Sequence, residues 1–186
     1  MITIVSGLPR SGTSLMMQML SAGGMPVLTD GGRKPDSDNP RGYYEWEQIK
    51  LLPQQPASID RAEGKVVKVI SQLLVALPAG RTYQVLFMLR PLTEVIASQA
   101  EMIRRLGTSG AALPTSALMG ALDAHLRQVR LWLKSKPDLS VLTVEHHDLL
   151  RDSLATSRNI QDFLKCSLDV EAMARQVDSS LYRQRT

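Results

Sequence analysis

Gly7-Leu-Pro-Arg-Ser-Gly-Thr-Ser14 is the stretch that decides the fold. An apolar run at residues 2–6 precedes it and predicts a buried strand, and the pattern at residues 13–21 predicts a helix. A strand, a glycine loop and a helix in this order can cradle a phosphate, because backbone N–H groups and the positive end of the helix converge on the loop. We therefore predict an anion site at residues 7–14.

The spacing of this loop matches the P-loop pattern G-x-x-x-x-G-K-[ST] except at one position, where Thr13 replaces the lysine. The cation within the loop is Arg10 instead. In P-loop enzymes that act on nucleoside triphosphates, an apolar strand ends in an acid that holds magnesium. The corresponding strand here, at residues 83–89, is followed by Arg90. Both differences argue against metal-dependent phosphoryl transfer, and we predict no metal.

Four short apolar runs predict strands, and helical patterns lie between them. Runs that lack clean alternation are typical of strands covered on both faces in a parallel sheet. We therefore predict an α/β fold, a three-layer sandwich with a mostly parallel central sheet, as one P-loop domain over residues 1–186. The predicted strands are 2–6, 66–70, 83–89 and 140–145, and the predicted helices are 13–21, 44–51, 92–106, 114–135 and 151–165. Residues 23–42 and 107–114 are predicted to be loops.

The composition limits the kinds of binding partner and the cellular compartment that we expect for this chain. The 186 residues carry a net charge of +4 and only 4% aromatic residues, and the basic residues form no run of five. This pattern fits a polyanionic small ligand and does not favour nucleic acid. The single cysteine, Cys166, excludes an internal disulfide and a zinc site built from cysteines. No segment approaches 18 apolar residues, so we expect no membrane span and a cytoplasmic setting.

A second candidate site follows the strand predicted at 83–89, in the sequence Arg90-Pro-Leu-Thr-Glu-Val-Ile-Ala-Ser98. Pro91 opens the next helix, as proline does at a first helical position. Ligands of open α/β sheets bind beyond the carboxyl ends of the strands, which places Arg90 at the same rim as the glycine loop. Ser98 is eight residues further, a little over two helical turns. Both side chains could hold a phosphate; Arg90 could also simply cap the sheet, and Ser98 could be a small packing residue.

Taken together, the loop at residues 7–14 and the pair Arg90 and Ser98 resemble the two donor-binding motifs of sulfotransferases that use 3′-phosphoadenylyl sulfate (PAPS). A weaker resemblance to small bacterial sulfotransferase-like proteins extends through residues 39–45, 65–68, 144–148 and 178–183, and therefore over most of the chain. The resemblance implies an enzyme that transfers a sulfuryl group from PAPS to a hydroxyl or amine of an unknown acceptor, without a metal. The alternatives are a P-loop kinase or nucleotide hydrolase, and a non-catalytic module that binds a nucleotide.

The same resemblance implies roles for individual residues. Arg10 takes the place of the catalytic cation that contacts the bridging oxygen. The remaining donor-binding residues form three groups: Pro9, Ser11, Gly12, Thr13 and Ser14 at the 5′-phosphate loop, Arg90 and Ser98 at the 3′-phosphate, and Tyr182 and Arg183 folding back over the nucleotide. The last pair would stand in for a glycine-rich C-terminal motif that this sequence lacks.

Transfer to a hydroxyl or amine needs a general base near the attacking atom. Our first candidate is Glu45, which could equally be a carboxylate that stabilises a helix N-terminus. The other candidates are Asp30, Asp36, Asp38, His125, His146 and His147. The two adjacent histidines could hold a metal only with further ligands, which the sequence does not reveal. Lys68, at the end of a strand, could contact the sulfuryl group or form an ordinary ion pair.

Overall fold

A computed structural model describes residues 1–32, 34–36, 39, 41–107 and 114–178. Its centre is a parallel sheet of four strands in the order β2-β1-β3-β4. The strands are β1 (Ile2–Gly7), β2 (Val66–Lys68), β3 (Tyr83–Leu89) and β4 (Leu139–Glu145). All six residues of β1 and all seven of β3 are buried, which explains why their sequences do not alternate between apolar and polar residues. The α/β fold with a parallel sheet is confirmed.

Six α-helices and three short 3₁₀ helices are described around this sheet. The α-helices are α1 (Thr13–Ala22), α2 (Leu92–Leu106), α3 (Thr115–Lys134), α4 (His146–Arg151), α5 (Ser153–Leu164) and α6 (Val170–Ala174). The 3₁₀ helices cover Glu47–Leu51, Pro56–Ala62 and Ser71–Ala76.

The helix predicted at 44–51 was wrong in both type and start. Tyr44 has a positive φ of 53° and Trp46 is extended, so a 3₁₀ helix begins only at Glu47. The helix predicted at 151–165 starts later, because Asp152 accepts a hydrogen bond from the Ala155 N–H and caps α5.

Apolar clusters lie on both faces of the sheet, which makes the fold a three-layer sandwich. One cluster joins Ile4 and Phe87 to the 3₁₀ helices and α3, and the other joins Val5 and Leu86 to α1 and α5. Neighbouring residues of one strand therefore enter opposite cores. Within the described residues, no helix has both the length and the hydropathy that crossing a bilayer requires.

Strand register decides which residues meet at the carboxyl edge of the sheet. Gly7 pairs with Met88, and Leu89 pairs with Glu145. Arg90 directly follows β3 and His146 directly follows β4, so both residues lie side by side beyond this edge, next to the glycine loop. This is the edge at which open α/β sheets bind ligands.

Candidate functional site

The glycine loop joins β1 to α1 through a tight backbone path. Gly7, Arg10 and Gly12 have positive φ angles of 147°, 75° and 100°. A Cβ atom at Gly12 would lie 2.8 Å from His146 Cδ2, and one at Gly7 would lie 2.5 Å from Ser11 Oγ. Only glycine fits at both positions, because the backbone is left-handed at Gly12 and closely approached at each.

The start of α1 offers donors to an anion. Gly12 caps this helix and has no side chain to accept a hydrogen bond from the N–H groups of its first turn. The Ser11 hydroxyl is buried, and within the described residues it has no hydrogen-bond partner. Thr13 and Ser14 add two further hydroxyls beside it. A helix N-terminus without a side-chain cap, beside a buried hydroxyl that has no partner within the described residues, is suited to a phosphate or sulfate group.

The β3–α2 segment holds this loop in place through three hydrogen bonds. Arg10 Nε donates to Ser98 Oγ at 2.9 Å, and Gln99 Nε2 donates to the Pro9 carbonyl at 3.2 Å. Arg90 Nη1 donates to the Arg10 carbonyl at 3.1 Å. The structure therefore brings Arg10, Arg90 and Ser98 together, although they come from two motifs about 80 residues apart.

A buried carboxylate that the sequence analysis missed lies behind Arg90. Glu94 is fully buried and accepts a hydrogen bond from Arg90 Nε at 2.8 Å. Its other oxygen lies 2.7 Å from His147 Nε2. The signal in the sequence was an acid four residues after Arg90, in the first turn of the helix that follows Pro91.

His146 packs against the glycine loop and is buried. Desolvation, followed by the positive charge of Arg90, lowers the pKa of His146 to about 4. This imidazole is therefore neutral near pH 7. A neutral ring can accept a proton, which keeps His146 among the candidates for a base.

Glu94, His146 and His147 also offer three potential metal-ligand atoms within 4.8 Å of one another. Two observations argue against a cation at this cluster. Arg90 already pairs with the carboxylate. The positive ends of α2 and α4 also meet there, since Glu94 and the two histidines lie in their first turns. We therefore assign no metal to this cluster.

Lys68 brings a second buried cation to the loop. Its Nζ donates to Ser14 Oγ at 3.3 Å and to the Tyr43 carbonyl, and it lies 3.5 Å from Glu45 Oε1. Because β2 pairs with β1, the end of β2 lies beside the start of α1. Lys68 thus supplies a cation next to the loop in which Thr13 replaces the usual lysine.

These groups surround a cavity of about 450 Å³. Its cations include Arg10, Lys68 and Arg90, and two candidate proton acceptors, Glu45 and His146, also line it. A largely apolar part of the lining is formed by Trp46, Ile49, Ile70, Leu73, Met102 and Leu150. The cavity lining therefore combines cationic groups suited to an anion with apolar side chains.

The other predicted residues fall into three groups. Pro9, Gly12, Thr13 and Ser14 line the cavity, whereas Ser11 and Ser98 are buried behind it. Among the described candidates for a base, Asp30, Asp36, His125 and His147 do not line it. Asp30 instead accepts from the Glu47 and Gly32 N–H groups, and His125 contacts Ser71. Asp38, Tyr182 and Arg183 lie outside the described residues.

Comparisons with known proteins support the fold. No protein-family model and no curated protein sequence matches the chain. A sulfotransferase domain from the curacin biosynthetic pathway is similar in structure with a TM-score of 0.55 at 16% identity, covering 100% of this chain and 91% of that one. A sugar kinase from Janibacter sp. HTCC2649 has a TM-score of only 0.42 at 13% identity, covering 91% of this chain and 96% of that one. The fold is therefore that of an α/β protein similar to a sulfotransferase domain.

Proposed function

We propose that this protein is a sulfotransferase that moves a sulfuryl group from PAPS to a hydroxyl or amine of an acceptor. The observation that carries the proposal is the trio Arg10, Lys68 and Arg90, three cations that line one cavity beside a P-loop-like turn. Arg90 follows β3, where a magnesium-dependent P-loop enzyme needs an acid. The site thus offers fixed positive charge in place of a metal.

The residues present fit a donor that carries two separate anionic groups. The N–H groups and hydroxyls at residues 11–14 would hold the 5′-phosphate. The buried Ser11 hydroxyl, which has no hydrogen-bond partner within the described residues, would donate to it. Arg90 would hold the 3′-phosphate at the neighbouring strand end. Ser98 would act on the same group or, as its hydrogen bond indicates, through Arg10. Contacts from Tyr182 and Arg183 remain a prediction.

PAPS supplies an activated sulfuryl group when it is bound. In the transfer, a bond forms between the acceptor atom and sulfur, while the bond from sulfur to the 5′-phosphate oxygen breaks and leaves its electron pair on that oxygen. Arg10 and the loop N–H groups stabilise this developing charge. Glu45 accepts the proton of the acceptor group. The products are the sulfated acceptor and adenosine 3′,5′-bisphosphate.

The proposal is tested by calorimetric titration with adenosine 3′,5′-bisphosphate and, separately, with ATP and magnesium. We expect micromolar binding of the bisphosphate by the wild type and at least tenfold weaker binding by Arg90→Ala. Arg104→Ala is the matched control, since Arg104 lies on α2 with a 72% exposed side chain and pairs with Glu101. Thermal melts establish that each variant is folded.

Tight binding of magnesium-ATP with no response to the bisphosphate would overturn the proposal in favour of a kinase or nucleotide hydrolase. Binding without turnover across a broad panel of hydroxyl and amine acceptors would favour a non-catalytic module. Arg10→Ala separates these outcomes further. We expect it to abolish most turnover with a modest loss of bisphosphate affinity, because its charge acts mainly on the leaving oxygen.

A further inference from the structure

We propose that Glu94 is a positioning residue that orients Arg90 for recognition of the donor's 3′-phosphate. The inference rests on the proposed function, because it assigns a phosphate to Arg90. Glu94 itself cannot meet the ligand. Its side chain is fully buried, and it is absent from the described lining of the cavity, which includes Arg90. It therefore acts through the arginine.

The geometry fixes Arg90 from two sides. Its Nε donates to Glu94 Oε2 at 2.8 Å, and its Nη1 donates to the Arg10 carbonyl at 3.1 Å. A long flexible side chain loses rotamer freedom when it binds a ligand, and this loss is smaller when other groups already hold it. Glu94 and the loop backbone thus hold the guanidinium in one orientation before the phosphate binds.

The Glu94 carboxylate is itself held by a second residue, His147. His147 Nε2 lies 2.7 Å from Glu94 Oε1, so the two carboxylate oxygens are occupied by groups from different elements. His147 belongs to the first turn of α4, and Glu94 belongs to the first turn of α2. The helix end favours a negative charge at Glu94. Arg90, Glu94 and His147 therefore form a chain that leads from the cavity to the surface.

A carboxylate behind Arg90 also repels an incoming phosphate, so its removal changes two quantities at once. Two variants separate them. Glu94→Gln removes the charge but keeps an oxygen that can accept from Arg90 Nε, whereas Glu94→Ala removes both. Any difference between these two variants reports the hydrogen bond that positions Arg90, because neither carries the charge.

The experiment measures the ratio of the dissociation constant of adenosine 5′-monophosphate to that of adenosine 3′,5′-bisphosphate for each protein. This ratio isolates the contribution of the 3′-phosphate. We expect the ratio of Glu94→Gln to equal or exceed that of the wild type, and the ratio of Glu94→Ala to be at least tenfold below that of Glu94→Gln. Glu101→Ala and Glu101→Gln, on the same helix, should both keep the wild-type ratio.

If Glu94→Gln and Glu94→Ala have equal ratios while the wild-type ratio is high, the positioning role of Glu94 is overturned and the proposed function stands. A wild-type ratio near one would overturn the proposed function and the inference with it. If Glu94→Ala does not fold, His147→Ala and His147→Gln give a second pair at a half-exposed side chain. His147→Gln keeps a side chain that can donate to Glu94, so we expect the ratio of His147→Ala to be about threefold lower than that of His147→Gln. Equal ratios in these two variants would contradict the positioning role.

Discussion

The glycine loop at residues 7–14 lines the cavity and residues 23–32 contact Glu45 in its lining, but the side-chain hydrogen bonds of the two regions differ in burial. Partly buried hydrogen bonds from the β3–α2 segment fix the loop, including Arg10 to Ser98 and Gln99 to Pro9. In residues 23–32, the side-chain hydrogen bonds of Thr29 and Asp30 are exposed, including Thr29 Oγ1 to the Glu45 carbonyl at 2.8 Å. Tyr43, further along the chain, is held more firmly, because the buried Lys68 donates to its carbonyl.

This difference bears on function. A buried hydrogen bond is costly to break because its groups are left without partners, whereas water replaces an exposed one. The loop is therefore firmly held, which would suit the donor phosphate of the proposed reaction. The exposed contacts of Thr29 and Asp30 cost less to break, so residues 23–32 can change their path more easily, which would suit the acceptor side of the proposed reaction.

The largest expected effect compares one glycine from each region. Gly12 and Gly24 have similar positive φ angles of 100° and 91°, so alanine is strained at both. A Cβ at Gly12 meets His146 at 2.8 Å, but at Gly24 it meets nothing within 4 Å. We expect Gly12→Ala to lower the free energy of unfolding by about 3 kcal/mol and Gly24→Ala by about 1 kcal/mol, measured by urea denaturation.

Bisphosphate affinity sharpens the same comparison. Gly12→Ala should weaken binding at least tenfold, because the new methyl group displaces His146 and the loop around it. Gly24→Ala should bind as the wild type does. Equal losses of stability or affinity in the two variants would contradict a rigid loop and a tolerant segment.

The second prediction compares titration in the two regions. Burial lowers the pKa of His146 to about 4, whereas the unfolded chain protonates this ring near its ordinary value of 6.5. The unfolded state therefore binds more protons as the pH falls from 6.5 to 4, and folding loses stability across this window. We expect His146 to account for about 2 kcal/mol of the loss between pH 7 and pH 4.5, and His146→Gln to remove that part.

Asp30 is the matched residue in the second segment. Backbone hydrogen bonds from Glu47 and Gly32 lower the pKa of this exposed carboxyl below its ordinary value of 3.8. Its contribution is present above pH 3.8 and is lost only at lower pH. Asp30→Asn should therefore keep the wild-type change in stability between pH 7 and pH 4.5, and identical profiles for wild type and His146→Gln would contradict the assignment.

Most of the sheet could be predicted from the sequence because its strands are short apolar runs between turn residues. The predicted bounds of β3 at 83–89 and of α2 at 92–106 match the structure. Pro91 and Gly107 mark the ends of α2 locally, Gly107 with a left-handed φ of 64°. Arg10 and Arg90 could be placed at one edge because parallel strands end together.

The rest of the site depends on pairings that no local pattern encodes. Glu94 is four residues from Arg90, but its contact with His147 depends on the register of β3 against β4. Lys68 reaches Ser14 only because β2 pairs with β1. Short helices such as α4 and α6 are less than two turns long, so hydrophobic periodicity cannot identify them.

The smallest expected effects come from single hydrogen bonds in the two regions. Gln99→Ala removes the donor to the Pro9 carbonyl and should cost about 1 kcal/mol in the free energy of unfolding, with bisphosphate binding about threefold weaker. Thr29→Val removes an exposed donor to the Glu45 carbonyl, which water replaces, so it should cost about 0.5 kcal/mol or less and leave that affinity unchanged. Urea denaturation and calorimetry measure both. A loss at Thr29 as large as that at Gln99 would show that residues 23–32 are held as firmly as the glycine loop, and the difference in burial between their hydrogen bonds would then not translate into a difference in rigidity.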